Sequence, residues 1–387
     1  MKTKRALIIA GTASMISQFN MTNIEVLEEL NYKIDVAFDI YHGNNIDEKE
    51  KIRFKNELKQ RDIDIHQIDF SRSFFNIFGH IKAYKQIDEL RKNNHYDIVH
   101  AHMPISSFLT RLVFKKERKN NTKVMYTAHG FHFFKDAPFI NWILYYPIEY
   151  IASYFTDTLI LINKEDYALA KSRFHAKEVV YTPGIGVDVA RFKNAKPNKK
   201  ELLSSLNIPG NKFMLLSIGE LNNNKNQSLS IEAIHQLNNK DIYLLIVGIG
   251  EDEQKLKDLI NKYNLNENVR LLGYRKDVEN LCKIADCFIH TPRREGLGMS
   301  PLEAMAAGLP LIITNTRGAK DYTIDGKTGY CINNDSIEEL KAAISKTYEN
   351  KELRKQFSKN NVEIVKNFSK QESRKIIERV YKDADKI

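Results

Sequence analysis

Glu295 and Glu303 lie in the run Pro292-Arg293-Arg294-Glu295-Gly296-Leu297-Gly298-Met299-Ser300-Pro301-Leu302-Glu303, which continues to Pro310. The two carboxylates bracket a Gly296-x-Gly298 turn that leads into a helix start at Met299 and Ser300. A helix start presents free backbone N–H groups and the positive end of a dipole, so it suits a phosphate. The carboxylates cannot hold that phosphate, because like charges repel. They can accept hydroxyl groups on either side of it. A ligand with hydroxyls flanking a diphosphate is a nucleotide sugar. Ser300-Pro301-Leu302-Glu303 also reads as a capping box, with Ser300 as N-cap, Pro301 at the first helical position and Glu303 at the third. Capping alone would leave Glu295, Gly296 and Gly298 without a reason.

Other residues are placed for related chemistry. Gly219-Glu220-Leu221 and then Lys225-Asn226 follow a strongly apolar run and precede a helical one. Lys225 can reach an anion at the strand ends there, or can be a solvated loop lysine. Gly248-Ile249-Gly250 follows another apolar run. A tight strand-to-helix turn explains it, and without the third glycine of a dinucleotide fingerprint NAD is not expected. His129, in Thr127-Ala128-His129-Gly130, ends a strand and can donate to a sugar hydroxyl or a phosphate; a structural histidine is the alternative. His100 and His102 alternate along one strand without a third convergent ligand, so no metal site is expected. Two stretches, Arg72–Arg91 and Phe131–Phe155, mix aromatic with basic or polar residues, the second around Trp142, Tyr145 and Tyr146. Each suits a membrane interface or the core of a first domain.

The elements that must position these residues are legible as short apolar runs alternating with amphipathic ones. Strands are expected at Ala6–Ala10, where a glycine turn would end the first, then at Ile34–Phe38, Ile98–His102, Val124–Thr127, Thr158–Ile162 and Val179–Thr182. A second series runs Phe213–Ile218, Ile242–Val247, Val269–Leu272, Cys287–His290 and Leu311–Thr314. Helical stretches such as Ile81–Lys92, Gln227–Leu237 and Asp252–Tyr263 lie between them. Strands alternating with helices predict an α/β chain with parallel sheets covered on both faces. The series breaks between Pro183 and Pro209. Two doubly wound, Rossmann-like domains facing across a cleft are therefore expected, with ligands at the carboxyl ends of the strands. Their expected bounds are 1–190 and 191–367.

Composition bounds the partners. The chain has 387 residues and a net charge of +10, which favours an anionic partner. The lysines are spread through the chain without a basic arm, so no nucleic-acid partner is expected. Three cysteines, none in a Cys-x-x-Cys pair, fit a reducing compartment rather than a disulfide or zinc framework. The apolar start is too short for a signal peptide, and no run is long enough to span a bilayer. The nearest such run, Pro138 to Phe155, is broken by Asn141, Pro147 and Glu149.

The whole chain resembles glycosyltransferase family 4, retaining enzymes of the GT-B architecture. The family's Glu-x7-Glu signature falls at Glu295 and Glu303. Ala13–Asn20, Asp97–His102 and Thr127–Phe134 look like members from bacterial capsule and exopolysaccharide synthesis. The resemblance implies a role for each matching residue. Glu303 would bind the ribose hydroxyls, Glu295 the donor sugar, Lys225 the diphosphate, and His129 the sugar from the first domain. Tyr274 and Arg275 would lie against the base, with Gly219, Asn226 and Gly248 also on the donor side. Gly11, Thr12 and Ser14 would face the acceptor. The last helix, 368–387, would pack back on the first domain. Two departures stand out. Gly219-Glu220-Leu221 replaces the family's Gly-Arg-Leu, so Arg293 or Arg294 is expected to supply the missing charge. Gly11-Thr12 replaces a Gly-Gly pair.

The expected activity is transfer of a sugar, an N-acetylhexosamine or derived amino sugar, from a UDP-sugar to a polyprenyl-diphosphate-linked saccharide of a surface polysaccharide. No metal or other cofactor is expected, since cations and N–H groups of the chain can stabilise the leaving diphosphate. A cytoplasmic location, peripheral on an anionic inner membrane face, fits the charge. A UDP-N-acetylhexosamine 2-epimerase of similar architecture and a non-catalytic carbohydrate- or polyanion-binding protein are the rival expectations.

Overall fold

The structure is a computed structural model and describes residues 3–42, 48–71, 73, 75–135 and 137–385. The chain divides into two compact units, one of residues 1–185 with 373–387 and one of residues 186–372. The first break falls at Gly186 rather than after residue 190, and the return falls inside the last helix, Lys370–Asp385. Gly186 has φ +76°, and a Cβ there would lie 2.5 Å from the Ser369 carbonyl oxygen. Only glycine fits where these two passages run side by side, joined by Val187 N–H to Phe368 O (2.8 Å) and Lys370 N–H to Val187 O (2.9 Å).

The first unit is built on β1 (Arg5–Thr12), β2 (Lys33–Asp39), β3 (Asp64–Gln67), β4 (Ile98–His102), β5 (Lys123–Ala128), β6 (Thr158–Leu161) and β7 (Glu178–Tyr181). Their order is β3-β2-β1-β4-β5-β6-β7, and every pair is parallel. Strands in such a sheet are buried on both faces and read as continuous apolar runs. In β1, Ala6, Ile8 and Ala10 enter one core and Leu7 and Ile9 enter the other. Ile377, Val380 and Tyr381 of the last helix complete the first of these cores. No glycine turn ends β1. The strand runs through Gly11 to Thr12, whose hydroxyl accepts Met15 N–H (3.3 Å) and starts the helix Ala13–Phe19.

The second unit is built on β8 (Phe213–Ile218), β9 (Ile242–Val247), β10 (Val269–Leu271), β11 (Cys287–His290), β12 (Leu311–Thr314) and β13 (Gly329–Ile332). Their order is β10-β9-β8-β11-β12-β13, again parallel throughout. The strand order reverses between β1 and β4 in the first unit and between β8 and β11 in the second. Open α/β sheets bind ligands beyond the carboxyl ends of the strands at such switch points. Among the described residues no helix is long and apolar enough to cross a membrane.

Candidate active site

The switch point of the second unit gathers most of the residues singled out above. The loop after β8 and the loop after β11 are stitched together by backbone and amide groups. Arg293 N–H donates to Asn224 O (2.8 Å), Asn224 Nδ2 to Arg294 O (3.0 Å), and the Thr291 hydroxyl to Asn226 O (3.1 Å). Asn226 is buried with φ +55° at the start of the helix Gln227–Leu237, and its Nδ2 donates to Asp335 Oδ1 (2.9 Å). This stitching sets Lys225 against Glu295. Lys225 Nζ and His290 Nε2 both donate to Glu295 Oε2, the histidine at 3.1 Å. Burial works to raise the Glu295 pKa, but His290 and Lys225 outweigh it and hold it at about 2. His290 is itself buried, which lowers its pKa and leaves it a neutral donor. Glu295 therefore stays ionised with Oε2 engaged and Oε1 able to accept a hydroxyl.

The turn beyond Glu295 is fixed by close backbone contacts. A Cβ on Gly318 would lie 2.5 Å from the carbonyl of Gly296. Gly298 has φ +85°, and a Cβ there would meet Tyr322 Oη at 3.1 Å and Glu295 Cγ at 3.2 Å. Gly298 is the N-cap of the helix Met299–Ala307, and no side chain caps it. The capping box is thus corrected: Ser300 sits inside the first turn, and its hydroxyl donates to Ile218 O (2.9 Å) at the end of β8. The bond ties the helix start to the strand end and leaves the first N–H groups without a side-chain acceptor, ready for an anion.

Glu303 lies farther along the same helix in the opposite electrostatic state. It is half-buried, and no hydrogen-bond partner is recorded for its carboxyl among the described residues. Burial raises its pKa to about 7; Arg191 and Lys370 pull it down, and Glu279 pushes it up. Arg191 meanwhile bonds Glu279 at 2.6 Å. A half-buried acceptor without a donor calls for an explanation, and a ligand hydroxyl supplies one.

The remaining donor-side positions have mixed surroundings. Arg293 is held by Asn223 and by Asp335 Oδ1 (2.9 Å), while Arg294 is exposed. Gly248, at φ +148°, has a packing reason: a Cβ would lie 1.9 Å from the carbonyl oxygen of Gly219. Tyr274 is 64% exposed, and Arg275 makes two bonds to Asp277 (2.8 and 2.7 Å). His290 and Tyr322 were not singled out from the sequence. The only signal for His290 was its place at the end of an apolar strand. Tyr322 lies in a loop, and among the described residues its buried hydroxyl, beside Gly298, has no hydrogen-bond partner.

In the first unit, His129 follows β5 and is half-buried, with a pKa lowered by burial to about 4. Its Nε2 lies 3.3 Å from His102 Nδ1. His102 Nε2 is buried without a hydrogen-bond partner among the described residues. Both nitrogens of His100 are engaged, one by Tyr381 Oη (2.7 Å) and one by Thr127 Oγ1 (2.8 Å). Gly11 and Thr12 line a cavity of about 310 Å³ with Met103, Ser106 and Tyr145. Ser14 is buried beside it, 3.1 Å from the Thr12 hydroxyl. The aromatic stretch 131–155 divides: Phe131 and Phe133 stack at 4.8 Å in the core, while Phe139, Ile140, Ile143, Ile151 and Tyr154 are exposed. Glu149, which interrupts it, is buried against Arg111 at 2.8 Å. Of the other stretch, Arg72 and Phe74 lie outside the described residues.

Comparison with known proteins agrees with this fold. Residues 198–363 match the family described as Glycosyl transferases group 1, and residues 46–163 match Glycosyl transferase 4-like. A putative glycosyltransferase of Bacillus subtilis, EpsD, is 38% identical over 277 residues, covering 70% of this chain and 73% of that protein. The UDP-Gal:alpha-D-GlcNAc-diphosphoundecaprenol alpha-1,3-galactosyltransferase of Escherichia coli is 29% identical over 282 residues, covering 70% and 72%. Anabaena Alr3699/HepE, solved in complex with UDP, shares the fold with a TM-score of 0.78 at 17% identity, over 99% of this chain and all of that one. With two doubly wound parallel sheets of the GT-B kind and the Glu295–Glu303 pair at the switch point of the second, the chain belongs to the group 1, family 4-like glycosyltransferases.

Proposed function

We propose that this glycosyltransferase moves a sugar from a UDP-sugar to a saccharide carried on polyprenyl diphosphate, at the cytoplasmic face of a membrane, in the building of a surface polysaccharide. The observation that carries the donor assignment is the pair of unlike carboxyls at one helix: Glu295 held ionised by Lys225 and His290, and Glu303 half-buried without a recorded partner. Glu303 takes the ribose hydroxyls, the uncapped start of Met299–Ala307 takes the diphosphate, and Glu295 Oε1 takes a hydroxyl of the sugar. The relatives support a uridine nucleotide and a lipid-linked acceptor, since one is named for UDP-Gal and diphosphoundecaprenol and another was solved with UDP. The donor named there is a hexose, so a donor screen includes UDP-hexoses beside the N-acetylhexosamines.

The chemistry follows from charge. The bond from the anomeric carbon to the β-phosphate oxygen breaks, and its electron pair goes to the phosphate. The sugar gains positive character while an acceptor hydroxyl forms the new bond on the same face. Because the new bond forms on the face the phosphate leaves, configuration is retained, and the hydroxyl's proton passes to the departing phosphate oxygen. Lys225 and the helix N–H groups stabilise the growing negative charge without a metal ion. Glu295, beside the sugar, stabilises the positive charge. His129 is assigned to the sugar by the family resemblance alone; burial lowers its pKa to about 4, so it is neutral at pH 7 and able to donate to a hydroxyl without adding positive charge. In an assay run in EDTA, the wild-type protein transfers sugar, and Glu303→Ala with intact circular dichroism loses at least a hundredfold. An active Glu303→Ala protein contradicts the ribose assignment.

A further inference from the structure

We infer that the first unit carries a membrane-docking face, made by the start of the helix Ile77–Asn93 and by the helices Phe139–Leu144 and Tyr146–Ser153, and that its partner is a bilayer rich in anionic lipid. Among the described residues, twelve of the fifteen exposed large hydrophobic side chains belong to the first unit. Ten of the twelve fall in two stretches, residues 75–84 and 139–154, including Phe78 at 86%, Ile77 at 66%, Phe139 at 78%, Ile140 at 55% and Ile143 at 53% exposed. Exposed apolar groups clustered this way mark an interaction surface rather than the scatter normal for a soluble surface.

The two stretches belong to one side of the unit. They line a common cavity of about 200 Å³, to which the first contributes His80 and the second Tyr145 and Ile148, with Ile105 and Phe108 from the helix Pro104–Phe114. Lysines accompany the apolar groups. Lys85 is exposed one residue after Tyr84. At the far end, Arg118 donates to Tyr154 O (2.6 Å) and Lys115 Nζ lies 5.6 Å from the Phe155 ring, which brings the exposed lysines 115, 116 and 119 beside the second stretch. The core of a protein–protein interface is depleted in lysine. Aromatic and aliphatic groups with lysines beside them match a bilayer interface, where rings sit among headgroups and cations meet anionic lipid. The face deepens the proposed function, since a polyprenyl-linked acceptor resides in such a bilayer.

The test is flotation with vesicles of phosphatidylcholine alone or mixed with phosphatidylglycerol, without donor or acceptor. Wild-type protein is expected to float with the mixed vesicles and to be released by high salt. A variant carrying Phe78→Ser, Phe139→Ser, Ile140→Ser and Ile143→Ser is expected to bind about tenfold more weakly or less. Ile324→Ser, on the second unit, binds as wild type. UDP-induced thermal stabilisation, read on every variant, reports the nucleotide site separately, so the failure of either assignment shows alone. Wild-type protein that ignores the mixed vesicles, that binds both kinds equally, or that self-associates through these residues overturns the inference. So does a quadruple variant that keeps its thermal transition and floats as wild type.

Discussion

Glu295 and Glu303 occupy one turn-and-helix segment, yet their surroundings drive them apart, to about 2 and about 7. The difference is one of donors: Glu295 has Lys225 and His290, and Glu303 has burial without a recorded hydrogen bond. A hydroxyl donated to Glu303 favours its ionised form, so binding lowers its pKa and affinity for UDP should rise with pH through about 7, then level off. For stability the sign is opposite. A carboxyl raised from 4.5 to about 7 destabilises the fold as pH climbs between those values, and the loss is complete above them. Glu303→Gln should therefore stabilise the protein by roughly 1–3 kcal/mol at pH 8, leave it unchanged at pH 4, and flatten the pH dependence of UDP affinity. Thermal melts and calorimetry at both pH values check this. Equal melting points for the two proteins at pH 8 would show that the carboxyl is not strained. At this scale the sequence was legible where the chemistry is local: both carboxylates, Gly298 and Lys225 follow from type and spacing. His290 was not, because its role depends on β11 ending over Glu295. Arg293 is held by Asp335, a partner distant in sequence, which no local spacing reveals.

The helix Met299–Ala307 shows how an element sets the site. Local propensity favoured Ser300 as its cap, but Gly298 adopts a conformation open to glycine and the helix starts earlier, at Met299. Tertiary contact decided between them, since Ser300 bonds the end of β8 instead. Gly298→Ala adds a Cβ against Tyr322 and Glu295 at a strained φ, so it should cost about 1–3 kcal/mol in chemical denaturation. It should also weaken UDP binding by tenfold or more, as the turn shifts Glu295; unchanged binding would separate the turn from the site. The central strands were read because burial on both faces makes them apolar throughout. The two missed strands, β3 and β13, both lie at sheet edges. Asp64–Gln67 holds a single apolar residue and Gly329–Ile332 opens on a glycine, so neither has the run that marks a central strand.

Over the whole molecule, each unit repeats one architecture and turns it to a different use. The second unit's switch point is polar and charged, suited to a nucleotide. The first unit's strand ends meet neutral histidines and two cavities of about 200 and 310 Å³, which the proposed function gives to the acceptor. The alternation of strands and helices made the doubly wound class legible. The boundary was harder, because the last helix begins in one unit and ends in the core of the other. The most direct measurement is a crystal structure with bound UDP. The account predicts both ribose hydroxyls within hydrogen-bond reach of Glu303 and the diphosphate on the first N–H groups of Met299–Ala307, close to Lys225. A nucleotide bound elsewhere, with this helix start empty, would contradict it.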